Sequence, residues 1–321
     1  MKSFLIIQTA FIGDLILATS LIESIRVKFP EAKVDFVLRK GNDSLLDKNP
    51  HVRHLFVWNK KEKKYKNLFA LIKEIRQNQY DVVINAQRFA STGFITWRSR
   101  AKHKVGFTSN PFSFSYSKKI IHKTDDGRHE IERNHELLSA VCDAVLNGPK
   151  LYPSSENWQE LDILPAKENY FVLAPASVWF TKQLPDYKWV ELTQKLDPSA
   201  HIYLIGAPDD KNFLDEIIAK SRNKNVLNLA GKLSLLASAA LMQKAKRTYV
   251  NDSAPLHLAS AMNAPVTAYF CSTVTSFGFT PLSSDSKVVE IQSALSCRPC
   301  GLHGYSACPK GHFDCGNKIM I

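Results

Sequence analysis

The 321-residue sequence has no uninterrupted apolar run approaching the roughly 20 residues that a membrane-spanning helix needs. Its most apolar stretch, from Phe4 to Ile22, contains Gln8 and Asp14, and a carboxylate inside such a segment is costly in lipid. The stretch is therefore predicted to be a buried strand followed by a helix, and not a signal peptide. Without an export signal, the six cysteines are expected in a reducing compartment, the cytoplasm.

Charge is also sparse, at 22% of the residues against 45% hydrophobic ones, and this composition excludes a disordered chain. Acidic residues are the scarcer kind, because 30 Asp and Glu oppose 42 Lys and Arg, for a net charge of +12. Residues 1–150 hold 26 basic and 15 acidic side chains, so +11 of the charge lies in the first half. That half is expected to meet an anionic partner.

The length is about twice the ~150 residues of a typical domain, which favours two domains. In each half, short strand patterns alternate with helical periodicity, and a helix over 131–145 closes the first half. This rhythm predicts an α/β fold of two doubly wound, Rossmann-like domains facing a cleft, with ligands bound beyond the carboxyl ends of the strands. The predicted strands are Phe4–Ile7, Val34–Leu38, Leu55–Trp58, Val82–Ile84, Tyr170–Ala174, Ile202–Ile205, Val226–Leu229, Thr248–Val250 and Val266–Phe270.

The first strand leads through Thr9 and Gly13 to Asp14 and then directly into a helix. This segment lacks the Walker loop and the GxGxxG fingerprint, so it gives no reason to expect a phosphate there. Asp14 suits two roles, a cap at the helix N-terminus or a catalytic base, and the segment alone favours the cap.

The loops after the second set of strands carry groups suited to a nucleotide diphosphate. A loop lysine can pair with phosphate, a helix N-terminus presents free amides to an anion, and carboxylates in a turn can bind a ribose. Each feature alone has a structural alternative: a solvated lysine, simple helix caps, or a histidine that packs between helices. The groups concerned are Ser177, Lys182, Gly206, Asp209, Asp210, Asp252, Ser253 and His257.

These loops resemble glycosyltransferase family 9, the heptosyltransferases of the lipopolysaccharide inner core, and especially its heptosyltransferase II group. The resemblance rests on Gly13-Asp14, Lys182 with Pro185, Asn228–Lys232, and Asn251-Asp252-Ser253 with His257. It implies a GT-B fold in which residues 1–155 bind the acceptor and residues 156–296 bind an ADP-sugar. Residues 297–321 form a cysteine-rich tail.

The resemblance also implies roles. Asp14 is the general base of an inverting transfer, and Lys182 with the amides around Asp252–Ala254 stabilises the departing diphosphate, so that catalysis requires no cofactor. Two positions depart from the family pattern: Ala254 replaces a glycine, and Gln183-Leu184 replaces a basic-Trp pair. The remaining implied donor ligands are Ser177, Gly206, Asp209, Asp210, Leu233, Ser253 and His257, and the implied acceptor ligands are Thr9, Gly13 and Arg88.

The implied acceptor is an anionic, lipid-linked saccharide, which places the protein peripherally at the cytoplasmic face of the inner membrane. Arg88, which follows a predicted strand, is expected near the cleft. The lysine run at 60, 61, 63, 64 and 66 is predicted to be a solvated surface loop. Nucleic acid would use the same electrostatics, but no basic helix or aromatic ladder accompanies the charge, so nucleic acid is not expected as a partner.

Four cysteines, Cys297, Cys300, Cys308 and Cys315, crowd the end of the chain. Only the first pair has metal-ligand spacing, which leaves a structural zinc and free thiols as equal alternatives. Two other functions remain open at this point. One is a GT-B transferase that uses another nucleotide sugar for a surface glycan, and the weaker one is a zinc-containing nucleic-acid-binding protein.

Overall fold

A computed structural model describes residues 2–321 and divides the chain between Tyr152 and Pro153 into two compact units. This division lies close to the boundary predicted after residue 155. Both units are α/β, as the alternating pattern predicts. Among residues 2–321, no helix is both long enough and apolar enough to cross a bilayer.

Within residues 2–152, six parallel strands form one sheet in the order β3-β2-β1-β4-β5-β6. The chain leaves β1 on one side of the sheet and returns beside it with β4, so the loops after β1 and β4 meet at a topological switch point. The strands are β1 (Ser3–Ile7), β2 (Lys33–Arg39), β3 (His54–Trp58), β4 (Val82–Asn85), β5 (His103–Phe107) and β6 (Lys118–Ile120). The four strands predicted for this half are confirmed.

The helices of this unit are α1 (Ile12–Lys28), α2 (Lys64–Ile75), α3 (Ala90–Arg98) and α4 (Glu130–Ser139). The prediction of a helix over 131–145 was wrong at its end, because α4 stops at Ser139. Beyond it the backbone is held by side chains of α1: the amide of Asn147 donates to Ser24 Oγ (3.0 Å) and that of Lys150 to Thr19 Oγ1 (3.0 Å).

Within residues 153–321, a second parallel sheet has the order β12-β11-β10-β7-β8-β9. Its switch point lies between β7 and β10, and the five strands predicted for this half are confirmed. The strands are β7 (Tyr170–Ala174), β8 (His201–Leu204), β9 (Val226–Asn228), β10 (Arg247–Asn251), β11 (Val266–Phe270) and β12 (Ser286–Glu290). The helices are α5 (Ser155–Gln159), α6 (Asp186–Lys195), α7 (Lys211–Ser221), α8 (Leu235–Lys244), α9 (Ala254–Ala261) and α10 (Asp314–Asn317).

Each unit has its own hydrophobic core. In the first, the buried face of α2 packs with strand residues such as Val37 and Phe56. In the second, Trp189 of α6 packs edge-on against Tyr269 of β11, with ring centroids 5.5 Å apart. The cysteine-rich segment 297–321 contributes Phe313 to this core and packs on the second unit.

Candidate functional site

The loops that follow β1 and β4 are tied together by side chains. Thr9 is buried, and its hydroxyl donates to Gln87 Oε1 at 2.7 Å. The amide group of Gln87 donates in turn to the carbonyl of Ala10 at 2.5 Å. Because β1 and β4 are neighbours in the sheet, these bonds fix the backbone that leads into α1 and its first acidic residue.

Asp14 lies in the first turn of α1, and its Oδ2 accepts a hydrogen bond from the amide of Phe11 at 2.8 Å. The carboxylate therefore caps the helix. Burial raises the pKa of Asp14 to about 6, although the bond from Phe11 acts in the opposite direction; the charge of Glu130 raises the pKa further and that of Arg88 lowers it. A carboxylate with this pKa is ionised at pH 7 and basic enough to take a proton.

Two further ionised groups influence Asp14. Arg88 is exposed in the loop after β4. Glu130 is buried at the start of α4, where it pairs with Arg133 at 3.1 Å and His122 at 3.1 Å. The sequence interpretation did not identify Glu130 or Gln87. Gln87, directly before Arg88 at the end of a predicted strand, could have been found by its position.

The prediction that the lysine run is a solvated surface loop was wrong for its first residue, Lys60. Its ammonium donates to Thr9 Oγ1 at 2.9 Å and lies 4.4 Å from the centre of the Trp58 ring. Burial, followed by repulsion from Arg39 and Lys64, lowers the pKa of Lys60 to about 8. The chain turns back toward β1 after β3, so this first lysine of the run lies against the Thr9 loop, while the other four are exposed.

In the second unit, Lys182 and Asp252 form an ion pair at the switch point between β7 and β10. The ammonium lies 2.8 Å from Asp252 Oδ2, with only 15% and 7% of the two side chains exposed. The hydroxyl of Thr273, which follows β11, donates to the same carboxylate oxygen at 2.6 Å. Asp252 thus holds the lysine at the edge of the sheet where parallel folds bind ligands.

Asn251 fixes both ends of the loop that carries Lys182. Its carbonyl oxygen accepts from the amide of Leu184 at 2.9 Å, and its amide group donates to the carbonyl of Pro175 at 2.7 Å. Inside the same loop, the backbone N–H of Ser177 donates to Gln183 Oε1 at 3.2 Å. These hydrogen bonds give the loop a defined shape.

The helix N-terminus after β10 has the predicted position with one difference. Ser253 is the N-cap residue of α9, in extended conformation, and Pro255 is the second helical residue. The expectation that the side chains of Asp252 and Ser253 cap this helix was wrong. The Asp252 carboxylate is engaged by Lys182 and Thr273, and the Ser253 hydroxyl donates to the carbonyl of Asn251 at 3.4 Å. His257 is buried one turn into the helix.

The turn after β8 supplies the remaining predicted donor residues. Asp210 closes its own turn by accepting from the amide of Ala207 at 2.7 Å, whereas Asp209 is exposed. The amide of Gly231 donates to the carbonyl of Gly206 at 3.0 Å and so joins the loops after β8 and β9, the second of which contains Leu233. Since β10, β7, β8 and β9 are consecutive in the sheet, all of these loops share one edge.

A structural zinc at the four terminal cysteines, one of the two alternatives that the sequence leaves open, is not confirmed. Over residues 2–321, no group of three or more His, Cys, Asp or Glu side chains is arranged to hold a metal ion. The thiols have different surroundings: Cys315 is buried in the apolar core, whereas Cys297 Sγ lies 3.9 Å from Nε2 of His312. No disulfide joins any of these four cysteines.

Comparison with known proteins agrees with this arrangement. The model of the family described as glycosyltransferase family 9 (heptosyltransferase) matches residues 68–306. Lipopolysaccharide heptosyltransferase 3 of Escherichia coli is 27% identical over 278 residues, covering 82% of each chain. Lipopolysaccharide heptosyltransferase 2 of Escherichia coli strain K12 is 21% identical over 316 residues, covering 89% of this chain and 87% of the relative.

The solved structure of the E. coli heptosyltransferase WaaC with ADP has the same fold. It superimposes with a TM-score of 0.75 at 21% identity and covers 94% of this chain and 96% of its own. Agreement over nearly the whole of both chains confirms the GT-B fold class that the sequence resemblance implies.

Proposed function

This chain belongs to glycosyltransferase family 9 (heptosyltransferase), and we propose that it transfers heptose from ADP-heptose to the inner core of lipopolysaccharide. The observation that carries the proposal is the Lys182–Asp252 pair at the switch point of the second sheet. The names of the relatives support the sugar and the glycan, and the ADP in the WaaC structure supports the nucleotide.

On the donor side, Lys182 neutralises the charge that grows on the diphosphate as the sugar leaves. Asp252 acts through Lys182: its carboxylate would repel a phosphate, but it holds the ammonium at a fixed place. The amides at the start of α9, at Ser253 and Ala254, add the positive end of the helix dipole. These groups supply the stabilising charge without a divalent ion.

The other donor roles are assigned by position in the same loops. Asp209, which is exposed, is better placed to accept from ribose hydroxyls than Asp210, whose carboxylate already binds an amide of its own turn. Leu233 packs on the adenine. Ser177, Gly206 and His257 complete the contacts with phosphate and sugar.

On the acceptor side, Asp14 removes the proton from the attacking hydroxyl. The oxygen then bonds to the anomeric carbon while the bond to the diphosphate breaks, and ADP leaves with the electron pair. One displacement from the opposite face inverts the anomeric centre. Thr9, Gly13 and Arg88 position the acceptor, and Lys60, whose ammonium is held against Thr9, binds an anionic group of the saccharide.

We assign this reaction to the cytoplasmic face of the inner membrane, where a lipid-linked acceptor is available to a peripherally bound enzyme. The basic first half of the chain supports this location, because anionic headgroups and a phosphorylated acceptor both attract positive charge.

Nucleotide selectivity tests the proposal most simply. The purified protein is heated with ADP, UDP or GDP, and ADP is expected to give the largest increase in melting temperature. Transfer from ADP-heptose to truncated lipopolysaccharides that carry no, one or two heptoses is then followed by mass spectrometry, and the anomeric configuration of the product by NMR. A larger shift with UDP, or a product that retains the donor configuration, would refute the assignment.

A further inference from the structure

An exposed aromatic patch lies on the first unit, and none of its residues is assigned to the reaction. It consists of Phe69 of α2, Phe94 and Trp97 of α3, and Phe112 and Phe114 in the segment beyond β5. The centre of the Phe94 ring lies 6.0 Å from that of Phe69, 5.8 Å from that of Trp97 and 5.7 Å from that of Phe112. Phe114 is 67% exposed, Phe69 59% and Trp97 39%. Contiguous exposed rings of this kind mark an interaction surface.

The sequence builds this surface as a fixed feature. Gly93 lets the 110–115 segment approach α3, because a Cβ there would lie 2.0 Å from Asn110 Oδ1 and 2.9 Å from Phe112 Cβ. Asn110 donates to the carbonyls of Gln87 and Phe89, both at 3.0 Å, and accepts from the amide of Phe112 at 2.9 Å. The rings of the aromatic patch are thus held toward solvent by a hydrogen-bonded support.

Positive charge lies beside the patch. The guanidinium of Arg98 lies 5.5 Å from the centre of the Trp97 ring, and burial together with the charges of Arg100 and Arg98 lowers the pKa of Arg76. Residues 60–104 contain 12 Lys and Arg but only 3 Asp and Glu. One of these acids, Asp81, is paired with Lys102 at 2.7 Å. An anionic partner is therefore favoured.

We propose that the aromatic patch, with Arg76, Arg98 and Arg100 beside it, docks the protein on an anionic phospholipid surface. Tryptophan and phenylalanine rings enter the headgroup region, where an aromatic ring is stable, and the arginines pair with lipid phosphates. Single-stranded nucleic acid needs free ring faces for stacking. Here Trp97 and Phe112 stack on each other at 5.9 Å, and Arg98 lies over Trp97, so a bilayer fits better.

This inference rests on the proposed function only in that a lipid-linked acceptor is reached at such a surface. Flotation tests it directly, using vesicles of phosphatidylcholine alone or mixed with phosphatidylglycerol. The wild type is expected to float with the anionic vesicles and not with the neutral ones. The Phe69→Ser/Phe114→Ser and Arg98→Gln/Arg100→Gln double variants are each expected to bind at least about tenfold more weakly.

Matched controls use exposed residues outside the patch. Val145→Ser/Ile163→Ser removes two apolar side chains of similar exposure, and Lys224→Gln/Lys287→Gln removes two exposed cations. Both controls are expected to float like the wild type. Vesicles of brominated lipid supply a second measurement, since they should quench the fluorescence of Trp97, and Trp97→Phe should lose most of the quenching while it still floats.

Several results would overturn the proposal. One is equal flotation of the wild type and both patch variants. Another is displacement of the protein from vesicles by single-stranded DNA at equimolar phosphate. The third is a wild type that binds no vesicles but forms a dimer, which the Phe69→Ser/Phe114→Ser change dissociates. The ADP thermal shift and transfer to a water-soluble acceptor fragment are measured on the same variants and should be unchanged. Failure of transfer in the wild type refutes the proposed function, whereas failure of flotation refutes the docking surface.

Discussion

Two hydrogen bonds join Thr181 to the backbone of Tyr305. The amide of Thr181 donates to the carbonyl of Tyr305 at 3.1 Å, and the amide of Tyr305 donates to Thr181 Oγ1 at 2.8 Å. Ser272 completes the contact, because its hydroxyl also donates to Thr181 Oγ1, at 3.0 Å. Since Lys182 is the next residue, the cysteine-rich tail supports the loop that presents the proposed phosphate-binding lysine.

Gly304→Ala is expected to weaken ADP binding through this support. Gly304 has a φ of +78°, and a Cβ there would lie 2.9 Å from Thr181 Oγ1 and 3.0 Å from Lys182 Cγ, so the lysine must shift. Gly311 is a matched control in the same tail, with a φ of +75° and no atom near its Cβ position. Both variants should lose about 1 kcal/mol of folding free energy to backbone strain, but only Gly304→Ala should raise the Kd for ADP. Calorimetric titration measures the Kd, and equal ADP affinities of the two variants would show that the tail does not support the donor site.

The sequence could predict the positions of the site loops because each loop follows a strand that is recognisable from its apolar residues. Asp252 and Arg88 come within three residues of a strand end, and Lys182 lies further along the loop between β7 and α6, so all three belong to loops that begin at the carboxyl end of a strand with a clear apolar pattern. Three strands were missed. Strands β6 and β12 are edge strands with exposed lysines, which carry little of the apolar signal on which such predictions depend. Strand β5 lies inside the sheet, but its first two residues are an exposed histidine and a half-buried lysine, so its apolar run is short.

Contacts between distant segments could not be predicted in this way. The contact between Tyr305 and Thr181 joins residues that are 124 apart, and Tyr305 contributes only its backbone N–H and carbonyl, which leave no trace in the residue type. The engagement of Lys60 with Thr9 likewise depends on where the chain turns after β3. The sequence therefore indicated the proposed reacting groups but not the groups that hold them in place.

Lys182→Ala is expected to reduce both stability and ADP affinity. The change leaves the carboxylate of Asp252, 7% exposed, without its cation, and breaking a buried pair costs about 3–5 kcal/mol of unfolding free energy. The Lys182→Met/Asp252→Asn double variant should recover much of the stability without recovering ADP binding. Urea unfolding and calorimetry separate the two effects.

The surface pair of Lys220 and Asp186 provides the control for this prediction. Its charged atoms are also 2.8 Å apart, but the side chains are 54% and 40% exposed, so Lys220→Ala should lose less than about 1 kcal/mol. ADP affinity that survives in the double variant would show that Lys182 has a structural role alone.

Asp14→Asn should lower the rate of transfer by about 10²- to 10⁴-fold, the contribution of a general base. The amide can still accept the bond from the Phe11 N–H, so the helix cap and the ADP affinity should be retained. Asp47→Asn, at an exposed position in the same unit, is the control and should transfer like the wild type. Wild-type turnover by Asp14→Asn would leave Asp14 as a helix cap only.

The pH dependence of kcat/KM tests the same residue independently. Asp14 must be ionised to accept a proton, so activity should fall as the pH decreases through about 6, its raised pKa. Arg88→Gln removes a cation that lowers this pKa, and the acidic limb should therefore move to higher pH. A limb that stays in place in Arg88→Gln, or one near pH 4 in the wild type, would contradict the assignment.

Lys60 is expected to control the KM for a phosphorylated acceptor and not kcat. Burial lowers its pKa to about 8, so the ammonium is lost as the pH rises through that value and the KM for the acceptor should increase. Lys60→Arg keeps its charge at all these pH values and should have a flat KM, whereas Lys60→Gln should have a high KM throughout. Lys61→Gln, an exposed neighbour, serves as the control and should follow the wild type. Protonation of Asp14 reduces activity only at lower pH, so the effects of the two residues on the pH profile can be separated. A KM that rises equally with pH in Lys60→Arg would show that another group binds the anionic group of the acceptor.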